Sequence, residues 1–388
     1  MPSRCLEKEG AMHVAIVGGG LVGAAAAVAA QQLGWQVTLL ERGPSPLAAA
    51  PSALWDLRIS SVHQRNVNWL QQLGVWSLVA PSRYLPYDAL SVTTCDRQQL
   101  DFTAAEVNEP QLGVMVENNA LVRACWEYLA SQPQVTCRAA CDIHQFDIKN
   151  KTIDVKGGEP IHYDLLLGAD GVNSVVAKAA GIGVRGWDYG MRCLLAVAEV
   201  KQSIAAQTWE IFRPEGPYAL LPLQENLACL IDYRAEQDWR GKDESQVKAA
   251  LKETFTPHIG PFKLQNFASF PLRRQRALRY YDERGVVLLG DAAHGIHPLA
   301  GQGVNLGFVD VQVLLQALRT QPMAQALAHY EQQQMRVNQR MMRAMDAIHI
   351  GFRSPHLIPR FAVASGLAAV SLVKPLKRHI VRAAMGWE

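Results

Sequence analysis

His13-Val14-Ala15-Ile16-Val17-Gly18-Gly19-Gly20-Leu21-Val22-Gly23-Ala24-Ala25-Ala26-Ala27 is the stretch on which the fold turns. Its first five residues make a short apolar run rich in β-branched side chains, the kind buried on both faces of a parallel sheet. A glycine loop follows, then an alanine-rich segment that reads as a helix to about Gly34. Gln36-Val37-Thr38-Leu39-Leu40 reads as a second strand and ends at the acidic Glu41. Strand, G-x-G-x-x-G, helix, strand and acid in that order form the dinucleotide-binding arrangement.

Each part has a physical task. Gly18 permits the tight turn, Gly20 lets a pyrophosphate approach the backbone, and Gly23 lets the helix close on the strand. The helix start offers unpaired N–H groups and a partial positive charge to phosphate. Glu41 can accept hydrogen bonds from ribose hydroxyls and would repel a 2′-phosphate. The loop by itself does not separate NAD from FAD.

Two later motifs bear on that choice. Gly285-Val286-Val287-Leu288-Leu289-Gly290-Asp291-Ala292-Ala293-His294 repeats the strand-then-glycine pattern. Asp291 closes a buried strand, where a carboxylate needs a partner, and a ribityl hydroxyl would be one. His297-Pro298-Leu299-Ala300-Gly301-Gln302-Gly303-Val304-Asn305-Leu306-Gly307 then leads into an apolar helix reaching about residue 318. Backbone N–H groups around Gly303, Val304 and Asn305 at that helix start suit the flavin edge that carries negative charge when reduced. In Tyr163-Asp164-Leu165-Leu166-Leu167-Gly168-Ala169-Asp170-Gly171, Asp170 sits in a turn that approaches phosphate or ribose through the backbone.

Composition narrows the class. The 388 residues, 49% of them hydrophobic, suffice for one large domain or two ordinary ones. A net charge of +3, dispersed along the chain, makes no case for nucleic acid. The seven cysteines form no CxxC set and complete no zinc site, so no metal is expected and the thiols read as reduced in a cytoplasmic protein. Residues 11–32 imitate a signal-peptide core, but Arg4 and Lys8 are offset by Glu7 and Glu9, and three consecutive glycines interrupt the segment. Residues 1–11 read as a dispensable leader.

The order GxGxxG…E, then GADGxxS, then GDAAHxxxPxxGQGxNLG resembles the single-component flavoprotein aromatic monooxygenases from about Met12 to about residue 345. Within them, GDAAHGIHPLAGQGVNLG, Asp56-Leu57-Arg58-Ile59-Ser60, Met115-Val116-Glu117-Asn118-Asn119 and Phe270-Pro271-Leu272-Arg273-Arg274 resemble the ubiquinone-biosynthesis hydroxylases. Phe102-Thr103-Ala104-Ala105-Glu106 and Gly181-Ile182-Gly183-Val184 are similar to the 3-demethoxyubiquinol hydroxylase branch. The resemblance implies FAD as cofactor, NADH or NADPH as donor, and O2 adding at flavin C4a. It implies hydroxylation of the aromatic ring of a polyprenylated ubiquinone precursor, with another ring position or another phenol as the alternative. It also implies Arg58 at a phosphate or the flavin, Asn118 where relatives carry a flavin-contacting Arg, and His297 and Pro298 along the flavin face.

Two departures stand out. Ala177 and Lys178 occupy the neighbourhood of the family's Arg after GADGxxS. Leu230-Ile231-Asp232 replaces Leu-Val-Trp, which is expected to alter the substrate pocket. His294 reads as a satisfied helix-start histidine, and Arg273-Arg274-Gln275-Arg276 as a solvated or ion-paired face.

The expected architecture is α/β (mixed α+β): a Rossmann-like FAD-binding domain from residues 12–80, 110–185 and 275–345. Residues 81–109 and 186–274 form an inserted, mainly antiparallel substrate sheet, with strands near Cys193–Val200, Thr208–Phe212 and Leu227–Tyr233. Residues 346–388 form a helical tail, in which apolar Phe361–Val373 precedes Lys374, Lys377, Arg378 and Arg382. That pattern suits peripheral docking at the inner face of a membrane, contact with proteins of a biosynthetic complex, or packing on the FAD domain. A halogenase signature, W-x-W-x-I-P, does not occur. The non-enzymatic rival is a flavin-binding scaffold.

Overall fold

In the computed structural model, which describes residues 12–94, 99–295, 302–353 and 374–385, His13–Val17 runs inside a six-stranded sheet. Leu165–Gly168 and Gln36–Leu40 pair with it in parallel on either side. Val286–Leu288 and Val135–Arg138 extend the parallel ladder, and Tyr281–Asp282 adds an antiparallel edge. These strands are nearly all apolar because both faces are covered, and Val14, Ala15 and Ile16 are wholly buried.

Crowding explains the alanines of the helix Leu21–Gln32. Every residue from Gly23 to Gln31 is buried, where the helix packs against Asn118–Ala130 and Gln302–Thr320. Larger side chains would force these close-packed layers apart.

The second sheet has seven strands, in the order Phe262–Ala277, Val184–Val200, Leu227–Ala235, Tyr218–Gln224, Gln207–Ile211, Ala89–Thr93 and Gln99–Thr103. It is antiparallel except where Ala89–Thr93 runs parallel to Gln207–Ile211. The mixed α/β fold is as expected. The helix Glu244–Ile259, to which the sequence reading assigned nothing, covers the back of this sheet. It starts with a capping box in which Asp243 accepts the Gln246 N–H at 2.9 Å and Gln246 accepts the Asp243 N–H at 3.0 Å. Its Leu251 and Phe255 pack on Leu194, Leu220 and Leu230 of the strands.

One expectation is corrected here. Side chains alternate along Leu227–Ala235, so Ile231 and Tyr233 face the front of the sheet and Asp232 the back. Asp232 is fully buried there, held by Arg213 at 2.5 Å and Arg234 at 2.9 Å. It does not line the front cavity. Of the other departure, Ala177 is buried in the first turn of a short helix capped by Ser174, and Lys178 beside it is exposed.

At the end of the chain, the helix Lys374–Ala384 lies against the turn Ala104–Val107. Val381 and Met385 are buried among Tyr87, Ala104, Val107 and Met115. Lys377 binds Glu106 at 2.5 Å, while His379 and Arg382 stay exposed. Phe361–Val373 lies outside the described residues. No helix among the described residues is long and apolar enough to cross a membrane.

Candidate functional site

The glycine loop opens on a cavity of about 520 Å³. Gly18 has φ +103°, and a Cβ there would stand 2.4 Å from the Ala169 carbonyl oxygen. At Gly23 a Cβ would meet the Gly18 carbonyl at 1.9 Å, so helix and strand touch through hydrogen alone. Gly20 is the opposite case: a Cβ there would meet nothing within 4 Å. Two glycines are fixed by protein contact, and the third faces space. The helix that starts beside it has no side-chain cap and no acidic residue in its first turn, leaving its N–H groups for an anion.

Glu41 borders the same cavity, taking the Gly19 N–H and the Gly43 N–H each at 2.6 Å. Trp126 Nε1 donates to the Gly19 carbonyl at 2.9 Å and pins the loop from behind. Arg58, Asn118, Asp291, Gly303 and Val304 complete the wall. The Asn118 side-chain Oδ1 accepts from the Ser60 hydroxyl at 2.7 Å. Arg58 is largely exposed, 3.9 Å from Asp56. An uncapped helix start, an open glycine and an acid at the end of the second strand fit a dinucleotide such as FAD.

Two expected residues, Asp170 and Asn305, stand behind this wall. Asp170 accepts the Val175 and Val176 N–H groups at 2.7 and 3.2 Å through one oxygen, and its other oxygen is buried without a partner among the described residues. Asn305 is a clasp. Its Oδ1 takes the His63 N–H at 2.9 Å and Asn66 Nδ2 at 3.0 Å, and its Nδ2 donates to the Ser61 carbonyl at 2.7 Å. It thereby fixes the start of Gln302–Thr320 against the strand Ile59–His63. His297, Pro298 and Gly301 lie outside the described residues.

Asp291 also borders a second cavity of about 450 Å³, so the two chambers meet at this residue. Its carboxylate reaches open cavity on one side while protein hems it in on the others, and that desolvation raises its pKa. Below the turn, His294 Nε2 and Asp310 Oδ2 meet at 2.5 Å with no exposure.

The second chamber is lined chiefly by apolar side chains, among them Leu195, Leu221, Ile231, Phe270 and Met385. Few polar groups interrupt them. Tyr87 and Ser61 share a hydrogen bond of 2.7 Å, and burial pushes the Tyr87 hydroxyl up to about 12. Burial lowers His63 to about 4, keeping its ring neutral. Glu210 is buried with one carboxyl oxygen unpartnered among the described residues, and desolvation raises it to about 7. A largely apolar chamber with a few converging polar groups suits a hydrophobic ring that bears hydroxyls.

Sequence reasoning missed Asp310, His63 and Glu210. For Asp310 the signal was an acid in an otherwise apolar helix face. Arg274 pairs with Asp346, and Arg273 with Asp188 at 3.3 Å, as ion-paired side chains. Among the described residues, no group of His, Cys, Asp or Glu is placed to hold a metal ion.

The family model described as FAD binding domain matches residues 11–345. The 3-demethoxyubiquinol 3-hydroxylase of Escherichia coli (strain K12) is 38% identical, over 96% of this chain and 98% of its own. The ubiquinone hydroxylase UbiL of Rhodospirillum rubrum is 32% identical, over 96% of this chain and 89% of its own. Among solved structures, p-nitrophenol 4-monooxygenase PnpA from Pseudomonas putida DLL-E4 superposes with a TM-score of 0.79 over 96% of both chains. At 17% identity that likeness speaks for the fold alone.

Proposed function

The chain belongs to the FAD-binding-domain family of flavoprotein monooxygenases, and on that premise we propose that it hydroxylates the aromatic ring of a polyprenylated ubiquinone precursor, most directly 3-demethoxyubiquinol. The observation that carries this reading is the junction at Asp291 of a glycine-walled nucleotide cradle and an apolar chamber. Two hydroxylases of ubiquinone synthesis, similar over nearly the whole chain, support the choice of ring.

When bound, FAD supplies the redox chemistry, accepting electrons from NADH or NADPH and activating O2. Gly20 and the start of Leu21–Gln32 would receive its pyrophosphate, Glu41 its ribose hydroxyls and Asp291 its ribityl chain. The helix start at Gly303 and Val304 would face the electron-rich edge of the ring system, with Arg58 and Asn118 on the cavity wall. Gly18, Gly23, Asp170 and Asn305 keep the loops in place. Leu195, Leu221 and Ile231 hold the substrate ring and keep water from it.

The exposed His379 and Arg382, on a helix seated beside the chamber, support peripheral contact of a cytoplasmic protein with the anionic inner face of a membrane. The same basic face would serve docking to proteins of a biosynthetic complex. Either suits a substrate carrying a polyprenyl chain.

The test is complementation of an Escherichia coli strain lacking its 3-demethoxyubiquinol 3-hydroxylase. Expression of this chain should restore ubiquinone and clear the accumulated demethoxyubiquinone. An unchanged quinone profile from cells holding the FAD-loaded protein would refute the assignment.

A further inference from the structure

Glu210 lies on the strand Gln207–Ile211, whose Thr208 and Glu210 share the face turned to the apolar chamber. Thr208 is satisfied, its hydroxyl donating to the Leu220 carbonyl at 2.8 Å. Glu210 is not. It is only 8% exposed, and Oε1 is shut off from solvent with no hydrogen-bond partner among the described residues. Its register partners on the flanking strands, Ala219 and Val92, carry no charge to offset it. A buried carboxyl without a partner destabilises a fold. One that borders a ligand chamber is satisfied when the ligand arrives.

We propose that Glu210 is a catalytic residue: it holds a ring hydroxyl of the substrate and takes its proton, an inference that rests on the hydroxylase reading above. The substrate O–H bond breaks, an O–H bond forms on the Glu210 carboxylate, and the negative charge passes to the ring oxygen. That charge raises electron density on the ring carbons ortho and para to it, where oxygen is taken up. Once the oxygenated carbon has lost its hydrogen to water as a proton, Glu210 returns its proton to the ring oxygen. The cycle closes with no oxidant beyond O2 and no reductant beyond the nicotinamide donor.

Burial keeps most of the titratable groups around Glu210 uncharged. Tyr233 and Cys193 line the same chamber from strands farther along the sheet, and burial raises both, keeping them uncharged. Of the other groups lining the chamber, His63 is neutral, Tyr87 is protonated, and Arg273 is held by Asp188. Asp291 lies at the junction with the other cavity. Desolvation places Glu210 itself at about 7, where a proton acceptor is most effective.

The experiment compares FAD-loaded wild type with Glu210→Gln and Glu210→Leu, following product from a short-chain demethoxyubiquinol, peroxide release and the pH profile of kcat/KM. Glu210→Gln should bind FAD and oxidise NAD(P)H, yet lose product roughly a hundredfold, release peroxide instead, and lose the acid limb near neutrality. Glu210→Leu should also lose product while its Tm is no lower, because it removes an unpaired buried carboxyl. Glu210→Gln with the wild-type rate and pH profile would overturn the role of Glu210 and leave the hydroxylase reading intact. Wild type that oxidises NAD(P)H but yields no product from any quinol would overturn the hydroxylase reading, and this inference with it.

Discussion

The imidazole of His294 meets the carboxylate of Asp310 at 2.5 Å with neither side chain exposed, and the same carboxylate oxygen takes the Gly290 N–H at 2.9 Å. Asp310 belongs to the helix Gln302–Thr320, whose start borders the nucleotide cradle. One buried carboxylate therefore fastens the turn that sets Asp291 between the two chambers to the helix that closes one of them.

Breaking this pair should be costly. Burial is the largest single influence and would lower the His294 pKa, but the charge and hydrogen bond of Asp310, with the Asp291 charge, together hold the imidazole above its ordinary value. Asp310→Ala should cost about 3–5 kcal/mol in urea denaturation, the usual penalty for orphaning a buried charge. The pair's contribution is fully present below about pH 6.5 and is lost as pH rises through the higher folded value. Asp310→Ala should therefore flatten the fall in denaturation midpoint on that side. An unchanged midpoint would show that the pair holds nothing.

His63 works in the opposite sense. Burial lowers it to about 4 from an ordinary value of about 6.5. The unfolded chain binds the proton first, so stability is lost as pH falls between those values, by about 3 kcal/mol at most. His63→Gln should remove that acid-side loss, read as urea midpoints that no longer drop between neutral and mildly acidic buffer.

The glycine loop separates folding from binding. Gly18→Ala forces a side chain to φ +103° against the Ala169 carbonyl, and the backbone conformation alone costs about 1–3 kcal/mol. Gly20→Val meets open space, so the apoprotein should keep its Tm while FAD affinity falls roughly tenfold or more. Isothermal titration with FAD and thermal melting of the apoprotein measure the two effects separately. Equal FAD affinity in Gly20→Val would place the pyrophosphate elsewhere.

Asp232→Ala should leave the two arginines without their carboxylate on the back of the sheet, costing about 3–5 kcal/mol by denaturation. Its product should carry oxygen at the same ring carbon as wild type, because Asp232 does not face the chamber. A shifted ring position, seen by mass spectrometry and NMR of the product, would contradict that placement.

What the sequence made legible is local. Gly18, Gly20, Gly23 and Glu41 fall within one strand–loop–helix–strand unit, where spacing alone puts them around a single turn. Asp232 was misread because its strand is buried on both faces, so an acid among apolar neighbours does not reveal which way it points. Glu210 is one acid in a short strand-like run, and nothing in the run says which face it takes. Only the seven-stranded sheet shows that its face roofs a chamber. Asn305 was expected to act through its backbone at a helix start, and its side chain's grip on His63 and Asn66 needed contacts spanning most of the chain.

The most direct measurement supplies the purified, FAD-loaded protein with a demethoxyubiquinol, NAD(P)H and isotopically labelled dioxygen, and weighs the product. One labelled oxygen atom in the quinol ring, formed in step with NAD(P)H oxidation, is the expected result. NAD(P)H oxidised with all of the label recovered as peroxide and the ring unchanged would contradict the proposed function.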